Sequence, residues 1–231
     1  HSSPMPALSL CMIVRNEEGR LEHSLESAKD AADEMVVVDT GSTDRTVEIA
    51  QAQGAKVVSF AWCDDFSAAR NFAIEQATGD WILHLDADEE LEMNDIPLVR
   101  KFIEPPELDG VYVAIHNHER LPDGHRKPVI HPYPRLFRRK PAIRYQGLVH
   151  EFLTNLHHTV LSGIRIYHYG YDCPEQEQQA KRQRNEILCR RQLDHDPGNP
   201  VAHFSLAGIF LSDGRIDEAK ARLEEALRLI Q

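Results

Sequence analysis

The sequence predicts an α/β domain, a mixed sheet flanked by helices, followed by a helical tail. Three observations carry that prediction. Through the first ninety residues, short apolar runs of strand length alternate with stretches of helical spacing. The runs are continuously apolar, which marks strands buried on both faces of a mostly parallel sheet with right-handed crossovers. After Asp95 the pattern changes to two long strand-like runs joined by a Pro-Asp-Gly turn, which predicts antiparallel pairing and hence a mixed sheet.

Taken in order, "ALSLCMIV" is a first strand, and "RNEEGRLEHSLESAKD" has helical spacing through Leu21, Leu25 and Ala28. "EMVVVDT" is a second strand, rich in β-branched residues and closed by a Gly-Ser-Thr-Asp turn. "DRTVEIAQAQGA" reads as a helix stopped at Gly54, and "KVVSF" as a third strand. "DFSAARNFAIEQATGD" is a helix ending at Gly79, and it leads into the strand "WILHLDA". "RYQGLVHEFL" and "GIRIYHYGYD" are shorter strand-like pieces that carry histidines.

Pro174 opens a long charged helix that ends before the turn "DPGNP", and a helical pair broken at Gly214 follows. In that pair Leu206, Ala207, Phe210, Gly214, Ala219 and Ala226 fall at tetratricopeptide spacing, with His203 where the pattern prefers Trp. One repeat cannot bury its own face. It caps the preceding helix, begins an array, or is a plain helical hairpin. The expected division is a domain over 5–171, a tail over 174–231, and a tag remnant over 1–4 ahead of a natural start at Met5.

The 231 residues suffice for one generous domain with an appendage, and a net charge of −11 argues against a nucleic-acid partner. No apolar run approaches the roughly 18 residues of a transmembrane helix, and the N-terminus has no signal-peptide core. Cys11, Cys63, Cys173 and Cys189 form no C-x-x-C pair, so a reduced, cytoplasmic setting is expected. Between Arg120 and Arg144 eight basic residues face one acid, Asp123, which suits a phosphate-bearing ligand or a solvated hairpin.

The stretch "ILHLDADEE" ends a buried strand in Asp86, Asp88, Glu89 and Glu90. Acids packed this closely repel unless something positive sits among them. One explanation is a solvated acidic turn. The other is a ligand site, because in open α/β sheets ligands bind beyond the carboxyl ends of the strands. Three strand ends here carry polar groups: Arg15 to Glu17, Asp39 to Asp44, and Asp86 to Asp88. The chain has no G-x-x-x-x-G-K-[ST] and no G-x-G-x-x-G loop, so a bound nucleotide needs another phosphate partner. Mg²⁺ or Mn²⁺ held by acids is that partner.

The ordered motifs "MIVRNEE", "VVVDTGSTDRT", "FSAARNFAI" and "WILHLDADE" together resemble family-2 glycosyltransferases of the GT-A, Rossmann-like fold. "PRLFRR", "GLVHE" and "YHYGY" extend the likeness to a subgroup with C-terminal tetratricopeptide repeats, some of which glycosylate peptides, including on cysteine sulfur. The resemblance implies an inverting transferase that uses a nucleotide-diphosphate sugar, a UDP-sugar foremost, with Mn²⁺ or Mg²⁺. Asp39 and Arg70 would reach the nucleotide, and Arg15 to Glu17 would line the same pocket. Asp86 would face ribose and metal, and Asp88 would bind the metal. His168 would complete the metal shell, with His150 competing for that role or meeting the diphosphate. Arg135 and Arg138 are candidates for leaving-group phosphates. Glu151 would take the proton from the acceptor.

His84, His116, His118 and His131 read as structural histidines. Trp62 and Trp81 read as packing residues, although Trp62 beside Asp64 and Asp65 could line the sugar pocket. The expected acceptor is a peptide or protein, with glycans, lipid-linked or cell-surface sugars as the alternatives, and the helical repeat is a candidate site for a protein partner. Two other readings compete. A sugar nucleotidyltransferase would carry a Gly-rich basic loop after the first strand, where "VRNEEGR" is acidic. An inactive transferase domain could instead serve a protein-binding tail.

Overall fold

The computed structural model describes residues 5–120, 126–170 and 174–230. The apolar runs become strands β1 (Leu8–Val14), β2 (Glu34–Asp39), β3 (Lys56–Ser59) and β4 (Trp81–His84). Between them lie helices α1 (Leu21–Ala28), α2 (Thr46–Ala52) and α3 (Phe66–Gln76). A three-residue strand β5 (Glu89–Leu91) and helix α4 (Ile96–Ile103) follow. Then come the long strands β6 (Gly110–Arg120) and β7 (Arg126–Arg138), the short pair β8 (Tyr145–Gln146) and β9 (Phe152–Leu153), and β10 (Thr159–His168). The chain continues with α5 (Glu175–His195), α6 (Pro200–Ser212) and α7 (Ile216–Leu229). The Pro-Asp-Gly turn expected between β6 and β7 lies outside the described residues. Among the described residues no helix is long and apolar enough to cross a membrane.

Eight strands form one mixed sheet in the order β3-β2-β1-β4-β7-β6-β10-β5. β1 pairs in parallel with β2 and β4, and β7 turns the sheet antiparallel against both β4 and β6. Both faces of the parallel half are covered, as the continuous apolar runs require. Leu8, Leu10, Met12 and Leu83 pack with Leu21 and Leu25 of α1 and Val99 and Ile103 of α4. Cys11, Val36, Val38 and Ile82 pack with Ala73 and Ile74 of α3.

Opposite Val111 and Tyr112 the β6–β7 register slips from Leu136 to Pro134, which leaves Arg135 as the extra residue of a β-bulge. A bulge re-aims its side chain away from the alternating pattern. Pro132 and Pro134 fall on the stretch of β7 where β4 no longer pairs, a place that tolerates a missing N–H.

By internal contacts the chain forms two units, one of 1–62, 69–145 and 153–172, and one of 63–68, 146–152 and 173–231. The second unit thus takes two short segments of the expected first domain along with the tail. Its core joins Leu188 and Cys189 of α5, Leu206 and Phe210 of α6, Ala219 of α7, and Val149. The amide of Leu148 donates to Gln192 Oε1 (2.9 Å), and Ser67 Oγ donates to the carbonyl of Gly147 (2.6 Å). The α6–α7 pair turns at Gly214, whose φ of 73° favours glycine.

Gly79 shows how tightly the β1–β4 seam is packed. A Cβ there would meet Ser9 Oγ at 2.5 Å and the backbone of Ala7 and Ser9 at 2.9 Å, whereas one at Gly19 meets nothing within 4 Å. Gly79→Ala is expected to cost about 1–3 kcal/mol as overpacking, and Gly19→Ala close to none. Urea melts of both variants check this: the first should lower the midpoint at unchanged slope, the second should leave it in place.

Candidate functional site

The turns after β1 and β2 are locked together by their short polar side chains. Asn16 adopts a left-handed backbone (φ 54°), which Asn tolerates better than most residues. Its Oδ1 accepts from the amide of Thr43 (2.8 Å), and its own amide donates to Ser42 Oγ (2.9 Å). The amide of Glu17 donates to Thr46 Oγ1 (2.7 Å), and that of Glu18 to Asp44 Oδ2 (3.3 Å). Asp39, buried at the end of β2, accepts from the amides of Gly41 and Ser42, each at 3.2 Å. Arg15 is exposed at the tip of β1.

At the end of β4 the acids are met by arginines. Asp86 Oδ1 lies 3.0 Å from Arg70 of α3 and 3.1 Å from His84 Nε2, and Oδ2 lies 3.4 Å from Arg135. Arg135 also bonds Glu89 Oε1 (2.6 Å), and Glu89 Oε2 accepts from the Asp86 amide (2.9 Å). His84 bridges the group, meeting Arg70 at Nε2, Arg135 at both ring nitrogens and the Tyr145 hydroxyl at Nδ1 (2.5 Å). Two carboxylates and two guanidiniums balance, as groups this buried must.

Burial alone would raise the Asp86 carboxyl, but Arg70, His84 and Arg135 outweigh it and hold the carboxyl well below the usual range. Burial and then the charges of Arg135 and Arg70 hold the His84 ring well below its ordinary value, so the ring is neutral. Burial raises the Glu89 carboxyl to about 7, against the opposing pull of Arg135.

One turn further on, Asp88 faces His168 of β10, with Oδ2 3.4 Å from Nε2. His168 Nδ1 meets Asn117 Oδ1 of β6 at 2.6 Å. The sheet register explains the grouping, since His168 pairs with Asn117 on one side and Glu89 on the other. Burial would lower the His168 ring, but its hydrogen bond to Asp88 and the charges of Asp88, Glu89 and Asp86 raise it. A Cβ at Gly170 would press on both Asp88 Oδ2 and His168 Nε2, so glycine is what lets the backbone lie against both atoms. A carboxylate oxygen and an imidazole nitrogen this close together suit a Mn²⁺ or Mg²⁺ ion, whose adjacent ligands lie about 3 Å apart at bonds of ~2.1 Å. No group of three His, Cys, Asp or Glu side chains with metal-site geometry occurs among the described residues. A cavity of about 160 Å³ adjoins Asp88, lined by Arg20 just ahead of α1, His23 in its first turn, Glu90 and Tyr169.

The expected residues Arg70, Asp86 and Arg135 are therefore brought together, and Asp88 and His168 face each other. His150 and Glu151 belong to the second unit, His150 exposed with a left-handed backbone (φ 53°) and Glu151 half-buried. Arg138 departs from the expected phosphate contact. Its guanidinium donates to the carbonyls of Leu108 (2.9 Å) and Pro105 (3.0 Å) and lies over Trp81, at the opposite end of β4 from Asp86. His84, read from sequence as structural, stands inside the charged cluster, while His116 stacks on Tyr167. The side chain of His118 lies outside the described residues. Glu89 was noted in the acidic cluster but given no role, and Asn117, Tyr145 and Gly170 were not singled out by the sequence. Of those three, Gly170, two residues after the candidate ligand His168, sat beside a signal that pointed to it.

Residues 9–168 match the family described as "Glycosyl transferase family 2". A "TPR repeat-containing protein" of Synechococcus elongatus is 37% identical over 97% of this chain and 57% of its own. The SPbeta prophage-derived glycosyltransferase SunS of Bacillus subtilis is 30% identical over 86% of this chain and 48% of its own. The chain thus spans about half the length of these curated relatives. Among solved structures, glucosyl-3-phosphoglycerate synthase of Mycobacterium tuberculosis, in complex with Mn²⁺, UDP and glucosyl-3-phosphoglycerate, matches at 25% identity. That match covers 48% of this chain and 44% of the other, with a TM-score of 0.42.

The raised Glu89 carboxyl has a consequence for stability. A carboxyl that titrates near 7 when folded, against 4.5 unburied, keeps its proton longer in the folded state. Its contribution is full below the unfolded value and is lost as pH rises through the folded one. Wild type is therefore expected to lose stability relative to Glu89→Gln between about pH 4.5 and 7, as read by urea unfolding across that range. Parallel pH profiles would contradict it.

Proposed function

Because the chain belongs to glycosyl transferase family 2, we propose that it moves a sugar from a nucleotide-diphosphate sugar, a UDP-sugar foremost, to a peptide or protein acceptor with inversion. The observation that carries this reading is the facing pair Asp88 and His168, with Gly170 packed against both, beside an Asp86 held ionised by two arginines. Asp88 and His168 would hold Mn²⁺ or Mg²⁺, and bound there the ion would neutralise the diphosphate that leaves. Two protein ligands are in keeping with a cation that takes its remaining oxygens from substrate phosphates.

The chain's own residues do the rest. Asp39 offers a carboxylate to the base at the floor of a turn that Asn16 and Ser42 hold in place. Arg15 and Glu17 line the same end, and Arg70 and Arg135 fix Asp86 toward the ribose. His150 is a further candidate for the diphosphate. The acceptor oxygen or sulfur forms its bond to the anomeric carbon as the bond from that carbon to the diphosphate oxygen breaks. The nucleoside diphosphate leaves with the electron pair, and the acceptor proton passes to Glu151. A thiol acceptor needs less of that help, since thiols ionise nearer neutral pH.

The acidic loop after β1 spends its amides on the β2–α2 turn. That disfavours a sugar nucleotidyltransferase, which would need a Gly-rich basic loop there. The helical repeat is the proposed contact for a protein acceptor or partner.

Calorimetric titration of UDP into wild type and Asp88→Ala, with Mn²⁺ and then with EDTA, tests the donor site. Heat with metal in wild type, and little in the other three arms, is the expected outcome. Equal heat with and without metal would remove the cation from the site, and no heat at all would leave UDP without a place. Glu151→Gln should keep UDP binding and lower turnover on a hydroxyl acceptor by roughly 10²-fold or more.

A further inference from the structure

We propose that Asn117 is the positioning residue of the metal site, and that residue 170 is glycine because a side chain there would drive the two ligand atoms apart. This rests on the metal-dependent reading above. Asn117 lies on β6 beside His168 in the parallel ladder, is 8% exposed, and holds its Oδ1 2.6 Å from His168 Nδ1. A neutral imidazole has one N–H and one lone pair, and the partner of the first decides where the second points. Donation from Nδ1 to an acceptor-only oxygen leaves Nε2 as the lone-pair nitrogen, and Nε2 is the atom turned to Asp88 Oδ2 at 3.4 Å. Without metal a proton on Nε2 links the ring to that carboxylate, and a divalent cation would take the proton's place between the same two atoms.

The second half of the arrangement is backbone. The amide of Tyr169 donates to the carbonyl of Asp88 (2.8 Å), which draws residues 168–170 against the acidic turn. Gly170 has no left-handed φ, so its conformation is open to any residue, and space is what requires glycine. An alanine Cβ would strike Asp88 Oδ2 and His168 Nε2, and would come within 3.1 Å of His168 Cε1. Those are the far ends of two side chains, free to swing aside, so Gly170→Ala should fold with its two ligand atoms pushed apart.

Mn²⁺ binding in the presence of UDP, followed by electron paramagnetic resonance on the full chain, separates the possibilities. Thermal melts of each metal-free variant serve as the fold control. Asn117→Leu should weaken Mn²⁺ by ~10–100-fold, the usual effect of losing the partner that orients a metal-bound histidine. Asn117→Asp, which keeps the acceptor, should bind within a few-fold of wild type. Gly170→Ala should lose at least as much as Asn117→Leu, with an unchanged melting temperature. The imidazole-nitrogen coupling on bound Mn²⁺ should be present in wild type and Asn117→Asp and lost in Asn117→Leu. Wild-type binding that all three variants share would overturn the assignment and leave the metal reading intact. Binding as weak in Asn117→Asp as in Asn117→Leu would overturn the positioning role. No Mn²⁺ binding by wild type with UDP would overturn both the assignment and the metal reading.

Discussion

The site depends on one constraint, that two carboxylates cannot stay ionised this close together and this far from water without equal positive charge. Asp86 and Glu89 meet that constraint with Arg70 and Arg135, drawn from a helix on one side and a strand on the other. His84 and Tyr145 fill the space between. A neutral His84 adds no third cation, so the two guanidiniums are matched once Glu89, raised to about 7, has lost its proton. The arrangement fixes where β4 ends, and with it the short turn that carries Asp88.

The mixed sheet supplies the rest of the geometry. Its parallel half delivers three polar turns to one edge, after β1, β2 and β4. The antiparallel half returns two residues to the same acidic turn by different devices. Arg135 arrives through a bulge that re-aims it out of the strict alternation of β7. His168 arrives by register, flanked by Asn117 and Glu89 in neighbouring strands. The small Gly170 then lets the backbone lie against both Asp88 and His168 where a larger residue would part them. Buried ion pairs add little net stability, so this much charge in one place is better understood as holding acids in a chosen position.

What could be read from the sequence was whatever is local. The continuous runs at Leu8–Val14 and Glu34–Asp39, and the glycines at 54 and 214, have their whole meaning within a dozen residues, and each element formed where expected. Strand β5 is three residues long, too short to show a period, and helix α4 fell in the stretch where the pattern was changing. The acids at 86 and 88 were legible because charge at a buried strand end is costly and needs a reason. Asn117 was not legible, because its partner is 51 residues away and only strand register joins them. Arg135 and Arg138 looked alike in a basic segment. A bulge sends the first to the acids, and the ladder leaves the second over Trp81. His84 carried no signal at all, since a lone histidine in an apolar strand is ordinarily a packing residue.

A crystal grown with UDP and MnCl₂, with anomalous differences collected at the manganese edge, would test the metal-diphosphate site most directly. A manganese peak within bonding distance of Asp88 and His168 Nε2, with diphosphate oxygens completing its shell, is the expected result. UDP bound with no manganese at that pair, or manganese held by other side chains, would contradict it.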